Sequence, residues 1–275
     1  MKRPKILRLI LIAFLLAAGF ALLAQQARDR EALYQVSVLS GLMKGDYDGK
    51  IALRQIRRHG DFGIGTFDRL DGEAVELDGV FYQVSANGGV KRMDGSVKSP
   101  FAMATFFDAD MKFPVAQVTD YRTLQQFIDS RMPTKNIPYA IRIEGKFSYV
   151  KTRSVPAQER PYPVLAEVVK NQSVFEFKDI EGTLVGFRMP DYMQDVNVAG
   201  YHMHFLSRDK TKGGHLLECA LGAGIAKIDD IKEFVMILPQ SADFNSLKLS
   251  SSTAEAEKSR KERINQFVTL YIKNE

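Results

Sequence analysis

Short runs of alternating apolar and polar residues, separated by turn residues, occupy most of this 275-residue chain. Such alternation is typical of β-strands with one buried face. It is clearest in residues 61–97, where Asp-Gly and Gly-Gly pairs separate runs of β-prone residues. We therefore predict a meander of strands there. A further strand hairpin is predicted over residues 138–155, with its turn at Glu144 and Gly145.

Helical spacing of apolar residues appears in three other segments. Residues 53–60 predict a short helix that ends at a glycine. Residues 120–132 predict a longer helix, with Asp120 as its N-cap. Residues 252–275 combine a capping box with an apolar stripe, which predicts an amphipathic helix at the C-terminus. The mixture of strands and helices indicates an α/β protein of the α+β type.

A proline-rich segment divides the body of the chain into two parts of similar size. Residues 156–163 contain three prolines and interrupt the strand pattern on either side. We interpret this segment as a domain boundary. The prediction is an N-terminal domain of residues 28–160 and a C-terminal domain of residues 161–275.

The first 27 residues have the composition of a targeting segment. A basic start precedes an unbroken apolar run of 16 residues, Leu9 to Ala24, and small residues follow. The run is close to the apolar region of a secretory signal peptide and somewhat short for a membrane span of about 20 residues. We expect an exported protein, periplasmic or secreted. The alternative is an uncleaved anchor formed by residues 6–24.

The net charge of +5 comes mostly from this leader. Four of the 38 basic residues lie in it without an acidic neighbour, and without them basic side chains outnumber the 33 acidic ones by one. The basic charge therefore gives no support to nucleic-acid binding. The only cysteine, Cys219, excludes an internal disulfide and is interpreted as a core residue. Phosphate-binding and dinucleotide-binding glycine motifs are missing from the sequence.

Three of the four histidines lie within the segment Val198 to Leu221. His202 and His204 point to the same side of a strand, because side chains alternate with a period of two. The charged segment that follows ends in Gly-Gly and predicts a hairpin turn, so the returning strand can bring His215 beside the pair. Three imidazoles form three corners of a tetrahedral metal site with one open position, as in catalytic zinc sites. The alternative is that these histidines have structural roles only.

Two charged residues stand in apolar strand surroundings. Glu73 shares a strand face with Val75 and Leu77, so it is either an exposed strand end or part of a site. Arg153 follows two aromatic residues on one face of its strand, and it is either exposed or held inward for an anion. The fourth histidine, His59, ends the short helix of residues 53–60, where a structural role is expected.

Five segments of the chain resemble those of a known family. They are GDFGIGTFDRLDGE, YAIRIEGKFSYVKTRSVP, QERPYPVLAEVVKNQ, FEFKDIEGTLVGFRMPDYM and NVAGYHMHFLSRDKTKGGHLLEC. Together they resemble the alpha-acetolactate decarboxylase family over about residues 33–249, and the histidine phrase is the most specific. The leader lies outside the resemblance, and the C-terminal tail departs from the family's ending in length and composition.

The resemblance implies a zinc-dependent carbon-carbon lyase that converts 2-acetolactate to acetoin and carbon dioxide. It implies Zn²⁺ ligands at His202, His204 and His215, and site roles for Glu73, Arg153 and Thr66. A further glutamate near the C-terminus is implied, for which Glu262 is the best match and Glu257 an alternative. The implied fold has two domains, each built on a mixed β-sheet with flanking helices, and the implied assembly is a homodimer. From the leader itself, contact with a membrane is expected only if that leader is uncleaved.

These residue types suit the chemistry. A metal in an open three-histidine site can chelate the hydroxyl and ketone oxygens of 2-acetolactate and stabilise the charge that decarboxylation leaves. Arg153 can hold the carboxylate or a developing oxyanion, and a glutamate, Glu73 or Glu262, can protonate the enediolate. Three alternatives remain open: an exported zinc hydrolase, a non-enzymatic metal-binding module, and an anchored interaction protein without metal.

Overall fold

A computed structural model describes residues 31–249 as a strand-rich α/β protein with two large sheets. The strands of this part of the chain are β1 (Ala32–Val36), β2 (Ile51–Ala52), β3 (Phe62–Thr66), β4 (Glu73–Leu77), β5 (Val80–Val84), β6 (Val90–Arg92), β7 (Lys98–Ser99), β8 (Ala102–Thr105), β9 (Met111–Val118), β10 (Tyr139–Ser154), β11 (Ser173–Met189), β12 (Gly200–Ser207), β13 (Gly213–Asp230) and β14 (Glu233–Ile237). The α-helices are α1 (Leu39–Met43), α2 (Leu53–Ile56), α3 (Tyr121–Asp129), α4 (Leu165–Val168) and α5 (Ala242–Ser246).

The seven-stranded sheet has the strand order β14-β1-β8-β3-β4-β5-β6. Strands β1 and β14 run parallel and the other neighbours run antiparallel, so the sheet is mixed. Strands β3 to β6 follow one another in space as they do in sequence. The meander that the sequence predicts in residues 61–97 is therefore confirmed.

The five-stranded sheet has the order β10-β11-β12-β13-β9 and is antiparallel throughout. Strand β10 also pairs with β13, so the pairings of β10, β11, β12 and β13 form a closed ring. Because the ring is closed, β10 is hydrogen-bonded to a neighbouring strand on both edges along most of its length. This ring carries the histidine hairpin.

The predicted hairpin turn at Glu144 and Gly145 is wrong, because β10 continues through this position as one strand of 16 residues. Gly145 lies opposite Gly182 on β11 and opposite Gly224 on β13. A Cβ atom at Gly145 would lie 2.5 Å from the carbonyl oxygen of Ala223. Glycine is thus required here for the close approach of three neighbouring strands, which has the same sequence signal as a turn.

The two sheets pack face to face, and helices cover their outer faces. The central apolar cluster joins Ile64 and Val75 of the seven-stranded sheet to Val185 and Phe187 of the five-stranded sheet. Helix α2 covers the outer face of the seven-stranded sheet, and helix α3 covers the other side of the five-stranded sheet. Each fully buried Ile, Val or Phe contributes roughly 1.5–3 kcal/mol to stability.

The two sheets contain strands from both sides of residue 160. Strands β9 and β10 precede that residue and belong to the five-stranded sheet, whereas β14 follows it and belongs to the seven-stranded sheet. The chain therefore crosses between the sheets more than once, and the proline-rich segment 156–163 does not separate one sheet from the other.

Two predicted helices are confirmed within the described residues. Helix α2 occupies the start of the segment 53–60, and α3 occupies most of the segment 120–132. The side chain of Asp120 accepts a hydrogen bond of 2.7 Å from the backbone N–H of Thr123, as a cap worth about 1 kcal/mol. The predicted C-terminal helix and the leader lie outside the described residues. No helix among residues 31–249 is long and apolar enough to cross a membrane.

A buried carboxyl group lies on the outer face of the seven-stranded sheet. Glu76 of β4 is fully buried, and neither side-chain oxygen has a hydrogen-bond partner among the described residues. Burial raises its pKa to about 9, although Arg57 acts in the opposite direction. The carboxyl is therefore protonated in the folded protein at neutral pH.

Glu76 should make the protein less stable as the pH rises. The unfolded chain releases this proton near the ordinary glutamate pKa, whereas the folded chain keeps it to about pH 9. Its contribution is fully present below about pH 4.5 and should fall by up to roughly 1.4 kcal/mol per pH unit above that value. We predict that Glu76→Gln flattens this dependence in urea unfolding at pH 5 to 9. Parallel curves for the two proteins would contradict the prediction.

Candidate metal centre

The three clustered histidines lie on the hairpin formed by β12 and β13. His204 is directly opposite His215 in this antiparallel pair. His202 is two residues from His204 on the same strand and therefore points to the same side. The turn between the strands is closed by a 2.8 Å hydrogen bond from Ser207 N–H to the carbonyl of Lys212. The hairpin and the approach of His215 predicted from the sequence are confirmed.

The three imidazoles form a compact group. One ligand atom from each ring lies within 4.8 Å of the other two. The ring centroids are separated by 5.0 to 5.2 Å, and the rings are inclined to one another rather than stacked. Inclined rings can direct three nitrogen lone pairs at one point, which is the arrangement that a tetrahedral metal ion requires.

A backbone carbonyl fixes the orientation of His204. Its Nδ1 lies 2.9 Å from the carbonyl oxygen of Ala74 on β4. A carbonyl can only accept, so Nδ1 carries the hydrogen and Nε2 presents a lone pair. That Nε2 is buried without a hydrogen-bond partner among the described residues. Outer contacts of this kind orient metal-binding histidines.

Burial keeps the imidazoles neutral. It lowers the pKa of His202 to about 3, and the positive charge of Arg153 acts in the same direction. Burial also lowers the pKa values of His204 and His215 well below the ordinary value. A neutral imidazole is the form that binds a metal ion. The group is therefore ready to bind a cation at neutral pH without first losing protons.

Glu73 lies at the start of β4 and faces the histidines. Its carboxylate is 3.5 Å from Nε2 of His204 and 3.8 Å from a guanidinium nitrogen of Arg153. The residue is only 7% exposed, so it is not the solvated strand end that was the alternative. Burial raises the pKa of Glu73 to about 7, and Arg153 opposes this rise. Near neutral pH the group can both hold and release a proton.

Arg153 and Thr66 lie next to these groups. Arg153 of β10 is directly opposite His215, and its side chain is largely buried. Thr66 of β3 is directly opposite Glu73 and is also buried. Its hydroxyl donates a 2.7 Å hydrogen bond to the carbonyl of Gly72, so it braces the turn that leads into β4. The structure thus brings together every candidate site residue among residues 31–249.

Glu262 and its alternative Glu257 are outside the described residues. Cys219 is fully buried in the core of the five-stranded sheet, where burial raises the pKa of its thiol, so it packs as predicted. His59 stacks on Tyr34, with ring centroids 4.0 Å apart, far along the chain from the hairpin.

Comparison with known proteins relates this arrangement to one family. The family model for alpha-acetolactate decarboxylase matches residues 33–251. The chain belongs to the alpha-acetolactate decarboxylase family.

Named relatives agree with this assignment. An alpha-acetolactate decarboxylase of Methanosarcina mazei is 45% identical over 225 residues, which cover 82% of this chain and 78% of the relative. One from Methylococcus capsulatus is 42% identical, with 82% and 86% covered. The crystal structure of alpha-acetolactate decarboxylase from Bacillus subtilis strain 168 superposes with a TM-score of 0.79 at 37% identity, covering 84% of this chain and 99% of that one.

The match to the alpha-acetolactate decarboxylase family includes the whole described site. It ends at residue 251, so Glu257 and Glu262 lie beyond it. The carbonyl of Ala74 is a site group that the sequence does not reveal, because a backbone atom leaves no residue-type signal. The one available hint was its position next to Glu73 on the same strand.

The donor set fits a borderline metal ion. Three neutral nitrogen ligands suit zinc, copper, iron and nickel, and the orphaned Nε2 of His204 marks where one of them would bind. A metal there would be held by His202, His204 and His215. The carboxylate and guanidinium would remain beside it to contact a substrate.

Replacing one histidine should greatly weaken metal binding. We predict that His204→Ala loses most bound metal after dialysis against zinc-buffered solution, measured by elemental analysis, because two imidazoles cannot complete the site. As a control, His59→Ala should bind as much metal as the wild-type protein. Equal zinc content in His204→Ala and the unchanged protein would exclude the hairpin as the site.

Proposed function

We propose that this protein is an enzyme that converts 2-acetolactate to acetoin and carbon dioxide. Membership of the alpha-acetolactate decarboxylase family supports the proposal. The observation that carries it is the juxtaposition of three neutral imidazoles with a carboxyl and a guanidinium group. The imidazoles of His204 and His215 are buried, and that of His202 is half-buried. Decarboxylation of this substrate needs a binding site for an anion, stabilisation of charge on oxygen and a proton donor.

We propose zinc as the metal, held by His202, His204 and His215. When bound, zinc supplies a Lewis acid for the hydroxyl and ketone oxygens of the substrate. The chain's contribution is to keep the three imidazoles neutral and oriented. The carbonyl of Ala74 does this for His204 by holding its Nδ1–H.

Arg153 is the proposed binding group for the substrate carboxylate. Its guanidinium can form two parallel hydrogen bonds to a carboxylate, and its partial burial strengthens them. The 3.8 Å separation from Glu73 is longer than a hydrogen bond, so the guanidinium retains donors for a substrate. Holding the carboxylate at Arg153 orients the carbon-carbon bond that breaks.

Glu73 is the proposed proton donor. Loss of carbon dioxide leaves an electron pair on carbon, and one proton must be added there to give acetoin. With its pKa raised to about 7, Glu73 carries a proton in a large fraction of molecules at neutral pH. A donor on one side of the substrate would produce a single enantiomer of acetoin.

A second carboxyl group from the C-terminal tail is proposed to complete the site. Glu262 is the preferred residue and Glu257 the alternative. Thr66 is proposed to support the site by bracing the turn before Glu73, since its hydroxyl donates to Gly72. Comparing Glu262→Gln with Glu257→Gln in one assay would identify the carboxyl that contributes.

We also propose that the protein is exported and forms a homodimer. The basic start and the 16-residue apolar run from Leu9 to Ala24 support export, either by a cleaved signal peptide of residues 1–27 or by an anchor of residues 6–24. The homodimer rests on the family resemblance alone.

Acetoin release tests the proposed function directly. Purified zinc-loaded protein should form acetoin from racemic 2-acetolactate, lose this activity on chelation and recover it when zinc returns. Glu73→Gln should keep its zinc but lose activity by about 100-fold or more, because the proton donor is gone. Glu76→Gln, on the opposite face of the same strand, is the matched control and should remain active.

Two outcomes would contradict the proposal. Zinc-loaded protein that forms no acetoin would exclude the decarboxylase activity, and ester or amide hydrolysis would then favour a zinc hydrolase. Full activity in Glu73→Gln would show that another group donates the proton.

A further inference from the structure

An apolar side chain lies beside the proposed carboxylate-binding arginine. Val174 of β11 is directly opposite Arg153 of β10, and Arg153 is directly opposite His215 of β13. Directly opposite residues in antiparallel strands project from the same face of the sheet. Val174, Arg153, His215 and His204 therefore form one row across four strands, with Val174 at the end that lies outside the histidine group.

Val174 is an exposed strand residue outside the apolar core. The side chain is 42% exposed and belongs to none of the four apolar clusters formed by the described residues. Further along the same face, the exposed Glu176 and the half-buried Lys151 form an ion pair at 3.7 Å. An exposed valine between a functional arginine and a surface ion pair offers an apolar contact to something that binds at Arg153.

The chemistry of the substrate indicates which group would make this contact. The carbon that bears the carboxylate of 2-acetolactate also bears a hydroxyl and a methyl group. If Arg153 holds the carboxylate and the histidine-bound metal faces the oxygens, two methyl groups are left, one on that carbon and one on the ketone carbon. The first is attached to the carbon that bears the carboxylate, so it is the one nearer to Arg153 and to an apolar neighbour of that residue. Val174 is one strand spacing, about 4.8 Å, from Arg153.

We propose that Val174 contacts the alkyl group on the carboxylate-bearing carbon and limits its size. This inference rests on the proposed decarboxylase function. In a closed apolar pocket one methylene changes kcat/KM by about 10- to 200-fold. Val174 forms one partly exposed wall, so a several-fold effect is expected.

The test compares two substrates that differ by one methylene. Zinc-loaded full-length protein is assayed with 2-acetolactate and with its homologue that carries an ethyl group in place of that methyl. Val174→Ala should raise the ratio of kcat/KM for the ethyl over the methyl substrate by about 3- to 10-fold, because space is opened. Val174→Leu should lower the ratio by a similar factor.

A matched control separates specificity from general effects on the fold. Val235→Ala replaces a valine of nearly equal exposure, 41%, on β14 at the far edge of the seven-stranded sheet. It should leave the substrate ratio unchanged. Thermal unfolding of each variant is measured alongside.

The possible results distinguish the role of Val174 from the proposed decarboxylase function. Unchanged ratios in both Val174→Ala and Val174→Leu, with 2-acetolactate still converted, would overturn the role of Val174 and leave the decarboxylase function standing. A fall in melting temperature with equal losses on both substrates would also overturn it, since the side chain would then serve packing. If the wild-type protein converts neither substrate, the proposed function and this inference are both overturned.

Discussion

The hydrogen bond between His204 and the carbonyl of Ala74 joins the two sheets at the site. His204 belongs to the ring of β10 to β13, whereas Ala74 belongs to the meander that carries Glu73. This contact sets the direction of one imidazole and the distance of the carboxyl from the histidines at the same time. The site therefore exists only when both sheets are formed and packed on each other. The apolar cluster between them, with Val75 and Val185, holds that packing in place.

Burial determines how the site's groups are charged. Removing water lowers the pKa values of the three histidines and raises that of Glu73, so imidazoles and carboxyl all favour their neutral forms. The positive charge of Arg153 lowers the pKa values of the three histidines further and opposes the rise in the pKa of Glu73. A cation, an anionic substrate and a proton can then be bound by one small group of side chains. The same physical effect on Glu76, away from the site, has a cost in stability instead.

The sequence allowed the site to be predicted more accurately than the path of the chain. Period-two alternation and a short charged turn segment before Gly213 were sufficient to place His202, His204 and His215 together, because these are local rules. The close approach of three strands at Gly145 could not be predicted, since a glycine in a crowded strand and one in a turn look alike in sequence. The burial of Glu73 depends on packing of β4 against β12, a contact between residues more than 120 positions apart. The exchange of strands across residue 160 is non-local for the same reason.

Anomalous diffraction at the zinc absorption edge, from crystals soaked in zinc, tests the central claim most directly. The account predicts one strong peak at about 2.0–2.1 Å from a nitrogen of each of His202, His204 and His215, with a coordination position left free of protein ligands. A strong peak elsewhere, with none between the three imidazoles, would contradict the account. A peak at the predicted place with a fourth protein ligand would indicate a structural metal site rather than a catalytic one.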